Sequence, residues 1–559
     1  MKNSLLLLLV ALISSCRNDN TINDYEAINE NQIEIKTNNP SFISQIQVDF
    51  EGEIIKTNDE EIISYGMLIG KNENLTIDLN EGNQTKDYFP GDKIFKGSFY
   101  DLTGDKKYYL KFYVKTKNKI YYGNTVSFIS KKHNSPSEQR IYLNTQQQVD
   151  DFGKNNYTYV YELNIGGSVE NLSPLSSIIK IGGNLNIEYT SKLTSLHGLE
   201  NLQLIGTDQF PNGQLQIYNN TKLSTLSGLD KLMFTGKLYV GYNPLVKNLQ
   251  GLGNLEQAWH RTYLTVPSFD GLPLNFRTGE FTSIGFEGTD LGNRTINCEA
   301  YDFALKDAPN ITTLKGFIVG NYQNTTSFTL ENCKKLKTVA GIVFPSKYDD
   351  ISISNCESFE NLKGFDNLTV VDMFTLKDLP KLKNMEGLSS LSQIERLYLS
   401  NVGINTFNGL NNVKTIDHFS VNSCNSLINF VGLPSLTKIG DEISYFEVSN
   451  CANLEDFVGL EKVQHFTRFN IYSLPKLKNF DGIKDAKMPY ISISNCTLIN
   501  SLQGLEKVFG VGNVAIYDNI NLQNFCAIKN IVRSLNSNSY YVKNNLNNPT
   551  QQEIINNCP

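Results

Sequence analysis

The sequence has few of the residues on which most active sites and nucleic-acid interfaces depend. Its 559 residues include 5 His and 1 Trp, and 50 Lys and Arg stand against 57 Asp and Glu. The net charge of −7 argues against nucleic-acid binding, because phosphate contacts need a basic surface. The sequence contains no Gly-x-Ser-x-Gly motif, phosphate-binding loop, His-Glu-x-x-His motif or Cys-x-x-Cys pair. It therefore predicts a protein that is not an enzyme and that uses no cofactor or metal ion.

The N-terminus carries a short apolar run. Residues 5–13 are all apolar, follow Lys2 and end shortly before Cys16. Nine residues are too few to span a bilayer, and this order is typical of a secretory signal. The stretch Ile13-Ser14-Ser15-Cys16 resembles the bacterial lipobox, which implies that Cys16 is acylated and anchors the chain in a lipid membrane. The alternative is an ordinary signal peptide that happens to contain a cysteine.

Residues 1–15 are thus predicted to be a lipoprotein signal peptide, and the polar residues 16–32 a flexible tether. The lipobox resemblance implies an outer-membrane lipoprotein of a Gram-negative bacterium, either periplasmic or surface-exposed.

Residues 33–130 contain short alternating apolar and polar runs between turn signals, which predict a small antiparallel β-sandwich. Leu102 and Tyr108 have the spacing of the tyrosine corner of fibronectin type III domains. Together with the stretches 108–114 and 122–128, they make this region resemble the fibronectin-like modules of Gram-negative surface proteins. An immunoglobulin-like sandwich of another family is the alternative.

A motif with a period near 23 residues follows, as in ISISNCESFENLKGF (351–365) and ISISNCTLINSLQGL (491–505). Each copy ends in a glycine, which we expect to form a positive-φ corner. The motif glycines lie at positions 198, 228, 251, 271, 316, 341, 364, 387, 409, 432, 459, 482 and 504. Eight residues before most of them is an Asn, Cys or Leu. We expect a buried Asn in this column to satisfy turn amides.

Phrases such as LTSLHGL (193–199) and IGGNLNI (181–187) resemble the receptor L-domain family, whose fold is a leucine-rich-repeat-like solenoid. The resemblance implies a right-handed parallel β-helix over residues 153–525. Residues 131–152 resemble a linker with an N-terminal cap helix, and residues 526–559 resemble the C-terminal cap. The predicted fold class is therefore mainly β, a small sandwich followed by this solenoid.

Cysteines fall into two groups in this reading. Five share the Asn/Cys column and are predicted to stay buried and reduced, because their side chains should run parallel on successive coils; these are Cys333, Cys356, Cys424, Cys451 and Cys496. Cys526 and Cys558 lie in the C-terminal cap and are the candidates for a disulfide.

The repeat is least regular over residues 256–310, and this region contains the candidate ligand-binding residues Trp259, His260, Arg261 and Tyr263. Several Phe residues accompany them. One interpretation is a degenerate, overpacked coil, and the other is an insertion that carries an aromatic binding site. The outward strand positions of the other coils are polar and almost uncharged, which suits either a plain solvated face or a flat binding surface.

The predicted function is non-catalytic recognition or adhesion by a lipid-anchored cell-envelope protein, with an unknown protein or glycan as ligand. The alternatives are a glycan-capturing accessory protein or glycan-active enzyme, and a structural component of the envelope.

Overall fold

The protein is described by a computed structural model over residues 32–57, 60–206, 213–299, 302–319, 327–342, 344–440, 444–483 and 485–559. It is mainly β, with 38% strand and 6% helix, which confirms the predicted fold class. The chain divides into two compact units after Lys132. The predicted signal peptide, the lipobox with Cys16 and residues 16–31 of the tether lie outside the described residues.

The first unit consists of two small antiparallel sheets. One contains β1 (Glu34–Thr37), β2 (Phe42–Ile43), β3 (Gln47–Lys56) and β6 (Ile94–Tyr100). The other has the order β5-β4-β7-β8 and contains β4 (Ile62–Gly70), β5 (Gly82–Asp87), β7 (Lys107–Thr116) and β8 (Ile120–Ile129).

The two sheets share a core in which aromatic rings and a glycine fit together. The Tyr65 ring packs edge-on against Phe112, at a centroid distance of 6.1 Å. A Cβ at Gly52 would lie 2.2 Å from the Phe112 ring, so only glycine leaves room for that ring. The backbone N–H of Thr103 donates to the Tyr108 hydroxyl at 2.9 Å. This bond has the geometry of a tyrosine corner, while the fibronectin type III assignment stays a prediction.

The second unit is a parallel solenoid of about 17 turns. Its strands up to the middle of the unit are β9 (Arg140–Leu143), β10 (Tyr159–Val160), β11 (Glu162–Ile165), β12 (Lys180–Ile181), β13 (Leu185–Glu188), β14 (Leu204–Ile205), β15 (Gln214–Tyr218), β16 (Phe234–Gly241), β17 (Gln257–Leu264), β18 (Asn275–Ile284), β19 (Thr295–Cys298), β20 (Phe303–Lys306), β21 (Phe317–Val319) and β22 (Ser327–Glu331). The remaining strands are β23 (Lys347–Ser354), β24 (Val370–Leu379), β25 (Gln393–Val402), β26 (Thr415–Asn422), β27 (Lys438–Ile439), β28 (Phe446–Ser449), β29 (His465–Phe466), β30 (Arg468–Tyr472), β31 (Tyr490–Ser494), β32 (Asn513–Tyr517) and β33 (Tyr540–Lys543).

Most coils contribute two strand segments, each paired in parallel with the same segment of the next coil. Near the N-terminal end these segments are separate, so that β10 pairs with β12 while β11 pairs with β13. In the coils of β16–β18 and β23–β26 the two segments merge into one strand of eight or ten residues.

Glycine forms the corner of each regular coil. Gly387, for example, has φ +108°, and a Cβ there would lie 2.2 Å from the carbonyl oxygen of Leu362 in the preceding coil. No other residue tolerates both this backbone conformation and this contact. The predicted positive-φ corner is therefore present, and it is also the point where neighbouring coils come closest.

The Asn/Cys column is buried and satisfies backbone groups at the end of each strand. Asn220 accepts a hydrogen bond from the Thr190 backbone N–H at 3.0 Å and donates to the Ile187 carbonyl at 2.8 Å. Where the column holds cysteine, the thiol donates to the carbonyl two residues earlier, as from Cys356 to Ser354 at 3.2 Å. All five column thiols are free and fully buried.

Phenylalanine rings form a ladder beneath the corners. The rings of Phe407, Phe430, Phe457 and Phe480 lie on successive coils, with centroids 5.4 to 5.8 Å apart and planes within 11° of parallel. All four are fully buried. Each such pair adds about 0.5–1.5 kcal/mol beyond the burial of its surface.

The sheet extends further at both ends than residues 153–525. Strand β9 lies in the region assigned to the linker and cap, and β33 in the region assigned to the C-terminal cap, yet each pairs in register with the solenoid. The cap helices are α1 (Gln146–Gly153), α2 (Lys529–Val532) and α3 (Gln551–Asn557), with 3-10 turns at Ser173–Leu175, Cys526–Ile528 and Ser537–Ser539. In the C-terminal cap, Cys526 and Cys558 form a disulfide with a Cα–Cα distance of 5.2 Å.

The region 256–310 is not an insertion. Strand β18 pairs with both β19 and β20, so a full coil lies between Gly271 and Gly316. The phenylalanines of this region are core residues and each is at most 3% exposed; they are Phe269, Phe276, Phe281, Phe286 and Phe303. The interpretation of an inserted aromatic loop is therefore wrong, because these rings fill the interior of regular coils.

We expect Gly387→Ala to lower the free energy of unfolding by about 2 kcal/mol or more, because it adds a methyl group at positive φ against a neighbouring backbone. Chemical denaturation of the solenoid measures the effect. Gly253→Ala is the matched control, since its Cβ would have no atom closer than 3.8 Å and its φ is not in the left-handed region. If both variants lost the same free energy of unfolding, the contact at the corner would not be the cause of the loss.

Candidate functional site

The outward face of the solenoid sheet is a column of side chains in strict register. One position per coil points outward between two buried positions, and pairing aligns these residues from the first coil to the last. They are Tyr142, Asn164, Asn186, Gln216, Tyr239, Tyr263, Thr282, Ala304, Thr329, Ser352, Thr375, Tyr398, Ser420, Glu447, Asn470, Ser492, Ala515 and Tyr541. Because only Glu447 is charged, this column offers hydrogen bonds rather than ion pairs.

Trp259 and His260 form a bulge in β17. Ala258 pairs with Thr278 and Arg261 with Glu280, so two residues of β17 stand opposite Gly279 alone. A Cβ at Gly279 would lie 2.5 Å from the His260 carbonyl oxygen, so glycine is needed to accommodate the bulge.

The bulge leaves the Trp259 ring half-buried. It stacks on Phe234 of the preceding coil, at a centroid distance of 5.9 Å and an angle of 9°. His260 is also half-buried, and its Nε2 has no hydrogen-bond partner. The outer side of the Phe234–Trp259 stack thus adds an aromatic surface to this part of the sheet.

Arg261 and Tyr263 lie further along β17. The exposed Arg261 guanidinium forms an ion pair with Glu280 of the next coil, and this hydrogen bond raises the Arg261 pKa. The Tyr263 ring stacks on Tyr239 at 4.5 Å with an angle of 2°. Of the four predicted site residues, Trp259 therefore faces Phe234, whereas Tyr263 joins other tyrosines.

A cavity of about 690 Å³ lies beside the stack, at the start of β16, β17 and β18. Its lining includes Phe234, Glu256, Gln257, Leu274 and Arg277. None of the four predicted site residues lines it. The cavity is open and mixed in polarity, so it extends the aromatic surface rather than forming an enclosed pocket.

Five tyrosines gather where strands β13, β15, β16 and β17 end, and we call them the tyrosine patch: Tyr189, Tyr218, Tyr239, Tyr242 and Tyr263. Tyr218 contacts the rings of Tyr189, Tyr239 and Tyr242 at centroid distances of 5.6, 5.8 and 5.3 Å. Tyr189 is 59% exposed and Tyr242 is 57% exposed, while the other three are half-buried. The patch therefore presents both ring surfaces and hydroxyl groups to solvent.

Three of the patch hydroxyls have raised pKa values. Burial and the neighbouring Tyr263 hydroxyl raise the pKa of Tyr239 to about 12, and burial also raises the pKa values of Tyr218 and Tyr263. The hydroxyl groups of Tyr218, Tyr239 and Tyr263 therefore stay protonated at neutral pH, and each can both donate and accept a hydrogen bond.

Sequence reasoning found only two members of this patch, Tyr239 and Tyr263. Tyr189, Tyr218 and Tyr242 were missed because they lie just beyond the outward column. A signal was present, since Tyr189 and Tyr242 stand immediately before the Asn/Cys column, where most coils have Asn, Asp or Ser.

The described residues contain neither a cluster that could hold a metal ion nor a helix that could cross a membrane. Within the ranges that the structure describes, no group of three or more His, Cys, Asp or Glu side chains could hold a metal ion. No helix among the described residues is long and apolar enough to cross a membrane.

Comparison with known proteins links the N-terminal part of the solenoid to one family. Residues 152–253 match the family model described as Receptor L domain. That segment is similar to the Receptor L domain family. The match includes β13, β15 and β16, and thus four of the five patch tyrosines, which confirms the resemblance for this part of the solenoid.

Other comparisons add little. No curated protein matches the chain. Two solved structures of the sensor domain of the anti-sigma factor RsgI4 from Pseudobacteroides cellulosolvens are similar to a small part of it. They share 17% and 16% identity with this chain, cover 18% of it and 76% and 95% of their own chains, and have TM-scores of 0.15 and 0.14. Similarity at that level carries no functional argument.

We expect Trp259→Ala to weaken binding of a ligand held on this face by about 2 kcal/mol, because large aromatic rings dominate binding surfaces. Trp259 is the only Trp, so its fluorescence reports binding by the unaltered protein when oligosaccharides or matrix proteins are titrated in. Trp259→Phe is the control, since it keeps a ring to stack on Phe234. Lower thermal stability with unchanged affinity would instead assign the Trp259 ring to packing alone.

Proposed function

We propose that this protein is a lipid-anchored cell-envelope protein that recognises or adheres to its ligand through the solenoid, without catalysis. The observation that carries the proposal is the tyrosine patch, a cluster of five tyrosines on a sheet face whose outward column consists elsewhere mostly of small polar side chains. Exposed aromatic clusters on soluble domains mark interaction sites, because such rings contribute large contact area at low entropic cost.

The repeat architecture supports the same proposal. A solenoid presents a long, rigid face on which a ligand can touch several coils at once. The Receptor L domain match over residues 152–253 is consistent with repeat-based recognition. On this proposal the N-terminal sandwich, which resembles fibronectin type III domains, is a spacer between the membrane and the solenoid.

Surface retention tests the recognition step. A non-adherent Gram-negative host producing the full chain should be retained on at least one surface in a panel coated with matrix proteins, mucin and polysaccharides. A chain in which both Trp259 and Tyr242 are changed to Ala should be retained less, with equal amounts of folded protein at the surface. No retention on any coated surface would contradict a role in adhesion.

Anchoring is tested separately. We expect Cys16→Ala to move the protein from the membrane fraction to the soluble fraction, because acyl chains on this cysteine would supply the membrane affinity. Fractionation and labelling with palmitate measure the change. Ser15→Ala is a control that keeps the cysteine. Continued membrane association of Cys16→Ala with palmitate incorporation would contradict the lipobox interpretation.

A further inference from the structure

One backbone position per coil distinguishes the tyrosine patch from the other coils of the solenoid. Immediately before the Asn/Cys column, fourteen described residues have φ between +50° and +59°, and twelve of them are Asn, Asp or Ser. The other two are Tyr189 and Tyr242. Short polar side chains adopt this left-handed conformation readily, whereas a bulky ring is strained there. The chain therefore holds two exposed rings where backbone preference opposes them.

Small polar residues at this position also bond to one another between coils. Asn401 donates to Asp378 at 2.7 Å, and Asn544 donates to Asp518 at 2.9 Å. Tyr189 and Tyr242 flank Asn219 in the same row and replace these short side chains with rings. Since both rings are more than half exposed, burial does not offset the strain. Strain of this kind is typical of functional positions.

The surroundings of the patch are built to keep these rings in place. The backbone N–H of Tyr242 donates to Thr265 Oγ1 at 2.8 Å. A Cβ at Gly241 would lie 2.9 Å from the Tyr239 ring, so the glycine leaves room for that ring beside Tyr218. Contacts within the patch and with the neighbouring coil thus hold these rings in place.

The chemistry beside the patch is that of hydrogen bonding rather than ion pairing. Gln214 donates to Gln216, and Gln216 donates to the Glu188 carboxylate, so two amides and one carboxylate lie along the patch. All five patch residues are tyrosines, whose hydroxyl groups can both donate and accept hydrogen bonds. Of the two cations in register with Gln214, Lys237 lies on the next strand, and Arg261 on the strand after it is engaged by Glu280. This arrangement favours a neutral ligand with many hydroxyl groups over a charged polymer.

We propose that the tyrosine patch binds a neutral oligosaccharide that lies across neighbouring coils. A sugar ring has an apolar C–H face that packs on an aromatic ring and hydroxyl edges that hydrogen-bond to Tyr, Gln and Glu side chains. Tyr189 and Tyr242 would provide the exposed ring faces, and Gln214 and Gln216 the amide contacts. This inference rests on the proposed recognition function and names the class of its ligand.

The test uses the full-length chain in a zwitterionic detergent, so that no sugar headgroup competes for the patch. An array of neutral gluco-, xylo-, manno- and galacto-oligosaccharides, with sulfated and uronic-acid oligosaccharides beside them, identifies the probe. Titration with the best neutral oligosaccharide then gives its affinity.

We expect Tyr242→Asn and Tyr189→Asn each to lower that affinity at least tenfold while the thermal midpoint stays the same or rises. These changes install the residue type that most other coils have at this position, so folding should not suffer. Tyr541→Asn is the matched control, because Tyr541 is an exposed tyrosine on the outward column of the last coil. It should leave the affinity unchanged.

Retention of charged oligosaccharides alone, or wild-type affinity in both Tyr→Asn variants, would overturn the inference. So would retention of proteins that carry no sugar together with no binding of neutral oligosaccharides. In each of these cases the recognition function would survive if coated surfaces still retain cells through the solenoid. Failure of both assays would overturn the function as well.

Discussion

Close contact between successive backbones at the corners is the constraint on which the rest of the solenoid depends. A Cβ at Gly228, Gly409 or Gly482 would lie 1.9 to 2.0 Å from a carbonyl oxygen of the preceding coil. Corners can approach this closely only without side chains, and the approach fixes the distance between coils. Fixed spacing keeps the parallel strands in register, so every position of the repeat becomes a ladder along the solenoid.

Asparagine and cysteine in the Asn/Cys column form hydrogen bonds with buried backbone groups in different ways. Asn220 and Asn519 lie in runs of asparagine, where the side-chain amide accepts from the preceding coil and donates to the following one. In the middle coils the column holds cysteine, whose thiol needs only the carbonyl two residues earlier, as at Cys451 and Ser449. Cysteine can therefore occupy the column where no asparagine lies on the adjacent coil.

The repeat period was readable because corner glycines and the buried column recur every 23 residues or so. The coil containing Trp259 was harder to recognise, since the extra residue of its bulge breaks the alternation of inward and outward side chains. The tyrosine patch could not be predicted directly, because its successive members lie 3 to 29 residues apart along the chain and meet only through strand register. What sequence reasoning can recover is a departure from the repeat, such as Tyr where other coils have Asn.

A repeat makes such departures informative, because the other coils show what folding alone requires at the same position. Tyr189 is followed by the buried Thr190, and Tyr242 by the buried Asn243, whose amide bonds the Ile217 carbonyl at 2.9 Å. The buried column is thus intact directly beside each strained tyrosine. The residue at the outward end of the strand can therefore change without disturbing the hydrogen bonds of the core. Those bonds are made by the next residue along the chain, so the solenoid can carry a local binding surface without losing the contacts that stabilise the fold.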